Sequence, residues 1–294
     1  MNAVLSPPLS AARPVRAPNR IAEQITGRQY LSHSQISLMR SCPKKFSFSY
    51  IEKAEPEFIP NSLIFGGSIH SVLELYYRCK LEGLAVTKEA LLSAYHDSWQ
   101  QQLAKAKELA GKEVPVKYNK AQDIDTLHAL ADRMISAFLA SQLAQPKGII
   151  LGVEEHLTVE LDPELPDVLA KVDLVLQTDG SLHVVDFKTS RSRWNDQKAL
   201  ESADQLVLYG ATLETMSASL HLPVKLHFAV MTKAKTPVVQ LVQVPTSPMQ
   251  LQTLKETVGS VWQHIQSGNF YPSPSPMNCG GCQFRSRCPV FAGR

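Results

Sequence analysis

Asp173 and Asp186 lie in two apolar runs on either side of Asp179-Gly180, the dipeptide that a two-residue type I′ turn prefers. A turn there pairs Thr178 with Ser181. Counting back along both strands sets Asp173 opposite Asp186, and Lys171 opposite Lys188. Directly opposed residues have Cβ atoms roughly 5 Å apart, and like charges at such positions are destabilising. At an effective dielectric of about 20, two carboxylates ~5 Å apart repel by about 3 kcal/mol. A divalent cation removes that repulsion, and Mg²⁺ and Mn²⁺ favour one or two carboxylates together with water and phosphate oxygens. The chemistry on offer is metal-assisted attack on a phosphate. An ordinary solvated face, with Lys171 and Lys188 as ion-pair partners, is the competing reading.

Alternation along the hairpin separates two faces. One carries Val172, Leu174, Leu176, Val185 and Phe187 and suits a core. The other carries Lys171, Asp173, Asp186 and Lys188 around Val175 and Val184.

The elements that must position this hairpin follow from pattern. Ser32 to Gln35 fits a capping box ahead of a short helix, and Pro43 suits the first position of a second one bearing Phe46 and Tyr50. Gly66-Gly67 leads into a helix over about 68–82, with His70 and Glu74 on one face. Helices over 87–110 and 120–144 complete a helical layer in which 83–147 reads as an insertion. From 149 the period switches to two. A strand over 150–161 precedes the hairpin strands 168–177 and 182–188. A helix over 196–217, strands over 224–232 and 237–244, and a helix over 247–267 follow, then a Pro-rich turn at Tyr271–Pro276. No Gly-x-x-x-x-Gly-Lys-Ser/Thr loop occurs, so the chain carries no P-loop motor.

A chain of 294 residues accommodates one large domain, here expected over 31–294. Net charge is only +3, so any nucleic-acid surface must come from local clustering. No apolar run approaches a membrane span, and residues 1–20 lack the apolar stretch of a secretory signal. A disordered tail over 1–30 and a cytoplasmic location without membrane contact are expected.

Five cysteines, an odd number without a signal segment, argue against a disulfide framework. Cys279-x-x-Cys282-x₅-Cys288 is followed by Pro289. Zinc ribbons offer two close Cys-x-x-Cys pairs. Here only one exists, so a fourth thiolate must come from far away, and Cys42 beside Pro43 is the candidate. Cys79 reads as a small core hydrophobe.

Strand, hairpin and helix with paired carboxylates and a lysine resemble the PD-(D/E)XK nucleases. The resemblance runs over about 32–289 and is to the RecB/Cas4/AddB-like branch. Asp173 is similar to the first motif acid and Asp186-Phe187-Lys188 to the D-x-K element. Gly67-Ser68-Ile69-His70 is similar to the branch's helical histidine motif, and Gln205-Leu206-Val207-Leu208-Tyr209 to its Q-L-x-x-Y motif. Ala170 stands where the family often has glycine, and Lys171 beside it is a further departure.

The resemblance implies an α/β fold: a restriction-endonuclease-like mixed central sheet flanked by helices, an N-terminal helical layer, and an iron–sulfur tail over 271–294. It implies a divalent-metal-dependent DNA nuclease, an exonuclease on ends or single strands in recombination, repair or defence, working beside a helicase or recombination protein. Asp173 and Asp186 would hold Mg²⁺ or Mn²⁺ with His70 and the Phe187 carbonyl. Lys188 would orient water or neutralise the transition-state phosphate. A strand acid is expected too. Glu154, on the polar face with His156, Thr158 and Glu160, is preferred over Glu155, which shares a face with Val153 and Leu157. Gln205 and Tyr209 would contact the nucleotide or brace the lysine. Lys171, Arg191, Arg193 and Trp194 would supply backbone contacts and stacking. Cys42, Cys279, Cys282 and Cys288 resemble a 4Fe–4S ligand set. A non-catalytic DNA-end-binding module, and an RNA or structure-specific endonuclease, are the other readings.

Overall fold

The computed structural model describes residues 20–120 and 122–292. The expected tail falls outside these residues up to position 19. Its remainder is ordered: α1 (Arg20–Thr26) and the strand β1 (Tyr30–Ser32) bury Ala22 and Leu31 completely. The helix α2 (His33–Ser41) opens on the capping box, with Ser32 N donating to Gln35 Oε1 at 2.8 Å. Cys42 takes an extended backbone between α2 and α3 (Pro43–Phe46), which runs on as a π-helical turn through Ser47–Ile51.

The helix carrying His70 starts earlier than its glycine pair suggests. Here α4 (Asn61–Leu81) follows β2 (Ile59–Pro60), with Gly66 and Gly67 inside it. A Cβ on Gly67 would stand 2.8 Å from Gln102 Oε1 of α5 (Lys88–Ala110), so the glycine serves close helix packing. The layer is completed by β3 (Val116–Lys117), which pairs with β2, and α6 (Ile124–Leu139).

The main sheet adds β4 (Ile149–Val159), β5 (Asp167–Thr178), β6 (Ser181–Ser190), β7 (Val224–Thr232) and β8 (Val239–Val244). Its order is β1-β5-β6-β7-β8, with β4 on the other edge of β5. Thr178 pairs with Ser181, as a turn at Asp179-Gly180 requires. The helical stretch after the hairpin is three pieces: α7 (Asp196–Glu201), α8 (Asp204–Thr212) and α9 (Glu214–Leu220). Burial explains the breaks. Leu206, Val207, Leu208, Tyr209 and Ala211 of α8 are all buried, so packing against the sheet sets its direction. A capping box at Ser247 opens α10 (Pro248–Gln266), and α11 (Pro276–Gly280) leads into the tail.

Two cores flank the sheet. Leu174, Leu176, Val185 and Phe187 pack with α4, α5 and α6, while Val175, Val184 and Val230 pack with α2, α8 and α10. Val172, expected beside Leu174, belongs instead to the second core. The alternation breaks at Asp173 because pairing breaks there. One edge of β5 is taken by β1 at Asp167–Leu169 and by β6 at Leu174–Thr178. Among the described residues no strand pairs with that edge between them. Past Val185, β6 leaves β5 and continues only against β7, as far as Ser190↔Thr232. The sheet therefore forks where Asp173 and Asp186 would have stood squarely opposed.

Candidate active site

The fork is held open by the first aspartate. Asp173 Oδ2 accepts the Phe187 N–H at 2.7 Å, taking the place of a strand carbonyl. Asp173 and Asp186 are both buried. The N–H and C=O of one strand residue point to the same edge, so the Phe187 carbonyl also faces the fork.

Against this fork α4 presents His70. Its Nδ1 lies 3.6 Å from Asp173 Oδ2 and 3.9 Å from Glu154 Oε1, and its ring meets Phe187 edge-on. The register of α4 is fixed from behind. Gln102 Nε2 donates to Ile64 O and Ser68 Oγ, and the Ser71 and Ser98 hydroxyls meet at 3.0 Å.

Glu154 reaches the same point from β4. The polar face expected for it is realised only beyond it, at exposed His156 and Thr158. Glu154 itself is 9% exposed, because its backbone is left-handed, at φ 55°. Glu155 is half-buried, pairs with Val172 and stays outside the cluster. Ligand atoms of His70, Glu154 and Asp173 all lie within 4.8 Å of one another, the one such group of three among the described residues. Asp186 stands beside this group rather than in it.

The charges of the cluster act strongly on one another. Burial disfavours charge on His70, yet Asp173 and Glu154 outweigh it and push the imidazole up to about 10. Burial drives Asp186 up to about 6; Lys188 opposes this, and Asp173 adds to it. Burial would also raise Glu154, but His70 and Lys171 hold it below the usual carboxylate range. Glu154 Oε2 and Asp186 Oδ2 receive no well-directed hydrogen bond. Each instead has one ammonium at 2.5 Å, Lys171 and Lys188 respectively. Buried carboxylates sharing a histidine, with oxygens left over, are the donor set that hard divalent cations take.

The family model of the PD-(D/E)XK nuclease superfamily matches residues 30–289. The chain belongs to this superfamily. Among curated proteins, the nuclease is 25% identical to the Gene 69 protein of Mycobacterium phage L5 over 304 residues, covering 88% of this chain and 96% of that protein. It is also 25% identical to the Gene 69 protein of Mycobacterium phage D29 over 283 residues, with the same coverage. Among solved structures, a protein of Eubacterium rectale provisionally labelled an exonuclease covers 90% of this chain and 91% of its own, with 13% identity and a TM-score of 0.44.

On the other side of the nuclease's sheet, Lys188 is aimed by a relay. Its Nζ donates to Gln205 Oε1 at 2.7 Å, and Gln205 Nε2 donates to Tyr209 OH at 2.5 Å. Burial, then the Asp186 and Asp173 charges, keep the Tyr209 phenol neutral by raising its pKa. Gln205 and Tyr209 thus form one hydrogen-bond chain ending on the lysine.

The residues expected to grip nucleic acid are scattered. Lys171 is half-exposed and paired with Glu154. Arg191 and Arg193 are exposed. Trp194 is half-buried: its ring meets Phe228 edge-on, Lys198 Nζ lies over it at 4.9 Å, and its Nε1 donates to Ser190 Oγ. Sequence reading missed the Gln102 brace, because its partner signal is only a glycine.

The distant cysteines meet. Cys42, Cys279, Cys282 and Cys288 line one cavity together with Lys44, Lys45 and Arg285. All are free thiols. Burial pushes the Cys282 thiol up, and Cys42 and Cys288 add to it. The tail is stitched to the N-terminal helices by Asn278 Nδ2 donating to Ser41 O and by Lys44 N donating to Tyr271 O. Cys79 lies on α4 and does not line this cavity.

Proposed function

We propose that this chain is a divalent-metal-dependent deoxyribonuclease of the RecB/Cas4/AddB-like branch, an exonuclease on DNA ends or single strands, acting in recombination, repair or defence. The observation that carries the reading is the convergence of His70, Glu154 and Asp173 at a fork whose other prong bears Asp186 and Lys188. Mg²⁺ or Mn²⁺ would be held by these three side chains with Asp186 and the Phe187 carbonyl. When bound, the cation supplies positive charge that activates water and offsets charge on phosphorus.

The chain's own groups do the rest. Water oxygen bonds to phosphorus, the bond from phosphorus to the sugar oxygen breaks, and one proton leaves the water while another reaches the departing oxygen. Lys188, held between Asp186 and Gln205, presents an ammonium that neutralises the phosphate as charge builds. Tyr209 keeps Gln205, and so Lys188, in that direction. Asp173 fixes the backbone of the D-x-K segment through Phe187 N–H.

The four cysteines would hold a 4Fe–4S cluster with a structural role, tying the tail to α2 and α3. A single Cys-x-x-Cys pair with its fourth thiol far off in sequence supports this over a zinc ribbon, which offers two close pairs. Lys44, Lys45 and Arg285 around the shared cavity suit a cluster of net negative charge.

The test is incubation with end-labelled single- and double-stranded DNA in Mn²⁺, Mg²⁺ or EDTA, beside Asp186→Ala and Lys188→Ala. Cleavage that needs the ion and both residues is expected. Cleavage surviving EDTA, or unaffected by Asp186→Ala, rejects the mechanism. Tight binding without cutting turns the reading to an end-binding module.

A further inference from the structure

Three cations line one groove beyond the ends of β6 and β7. Arg191 follows β6, and Lys233 follows β7, where Lys233 N donates to Ser190 O at 2.6 Å. Lys120 lies in the loop before α6. With the amides of Asn61, Asn119 and Gln122 they line an open groove of about 720 Å³, and among the described residues no carboxylate lines it. The nearest acid in sequence, Asp123, is turned onto its own helix, where it accepts from Thr126 N at 2.8 Å. Among the described residues none of the three cations forms an ion pair. Other lysines of the same layer do: Lys88 with Asp132 at 2.8 Å and Lys112 with Glu55 at 2.7 Å.

The groove wall is built rather than loose. Asn61 is 2% exposed, donates to Gln122 Oε1 at 2.9 Å and accepts from Asn119 Nδ2 at 3.3 Å, which pins the loop to the start of α4. Burial, then Arg191, lowers the Lys233 pKa, so an anion between these two groups would relieve both.

The groove also leads to the site. A Cβ on Gly66 of α4 would lie 3.8 Å from Thr189 Oγ1 of β6, and α4 runs on to His70 while β6 carries Lys188. We propose that Lys120, Arg191 and Lys233 bind the sugar–phosphate backbone of the nucleic-acid strand on one side of the bond to be cut, with the Asn61–Gln122 amides as the groove wall. This rests on the nuclease reading, but its test does not require cleavage.

The full chain is titrated in EDTA against a fluorescent oligothymidylate of about twelve nucleotides, by anisotropy, from about 50 to about 200 mM salt. Each phosphate contact to a single strand contributes roughly 0.7 to the slope of log affinity against log salt. Lys120→Gln with Lys233→Gln should therefore lower the slope by about 1.4, so that wild type loses about sevenfold more affinity than the double variant over that range. Lys225→Gln, at the opposite end of β7 and exposed, should keep the wild-type slope. An unchanged slope in the double variant, an equal drop in Lys225→Gln, or no binding by wild type overturns the proposal. Failure of the nuclease reading shows separately, as binding in EDTA without cutting in Mn²⁺.

Discussion

Asp173 has two jobs at the fork, and two substitutions separate them. Asp173→Ala removes both the charge and the acceptor for Phe187 N–H. That bond is 2.7 Å long, buried, and made to a carboxylate oxygen. Hydrogen bonds to charged groups contribute about 1.5–3 kcal/mol, and the orphaned N–H adds to the loss. Asp173→Asn keeps a carbonyl oxygen in the same place. It gives up one partner of His70, 3.6 Å away, but relieves Asp186, whose ionisation Asp173 opposes. These effects run in opposite directions. The alanine variant should thus be less stable than the asparagine variant by about 2 kcal/mol, a melting difference of roughly 3 °C for a chain of this size. Thermal unfolding by circular dichroism in EDTA reads the difference, and Mn²⁺-dependent cleavage should vanish in both. Equal melting of the two variants, or an asparagine variant that still cuts, would refute the assignment of separate roles.

Tyr209→Phe deprives Gln205 Nε2 of its acceptor and loosens Lys188, so kcat should fall about threefold to tenfold with KM little changed; a pure KM effect contradicts a positioning role. Anaerobically purified protein should be brown, absorbing near 400 nm, and Cys288→Ser should lose both colour and melting temperature; colourless, zinc-loaded protein ends the cluster reading. Gly148→Ala should cost more than about 2 kcal/mol in denaturant unfolding, since Gly148 has φ 106° and a Cβ there would meet the Gln177 carbonyl; an unchanged midpoint contradicts this. His227 is buried, and its pKa is held down to about 4 by burial and by His183. Its folded pKa is below its unfolded one, so stability falls as pH drops from about 6.5 to about 4, by about 3 kcal/mol in all. His227→Phe should flatten that slope in melts across pH, and an unchanged slope contradicts the account.

Local rules wrote much of the fold into the sequence. Asp179-Gly180 sets the hairpin register because a two-residue turn leaves no freedom in pairing. The boxes at Ser32 and Ser247 start their helices because short side chains satisfy backbone N–H groups nearby. The fork was not readable. It depends on β1 and β6 sharing one edge of β5, and β1 is too short to carry a pattern. Glu154 was singled out by a weak preference, but its burial comes from a left-handed backbone that no local residue demands. The start of α4 was hidden because Gly66-Gly67 reads as the lead-in to a helix, whereas both glycines lie inside it and Gly67 packs against Gln102. The contacts of Trp194 with Phe228 and Lys198 were not legible either, because they depend on tertiary packing rather than on the two arginines beside it.

The central claim is that His70, Glu154 and Asp173 form a divalent-cation site. Titration of Mn²⁺ into metal-free protein, followed by isothermal calorimetry and by loss of the free Mn²⁺ paramagnetic signal, tests it most directly. Saturable uptake by wild type, lost in Asp173→Asn and weakened in His70→Ala and Glu154→Gln, is the predicted result. No uptake by wild type, or equal uptake by Asp173→Asn, would contradict it.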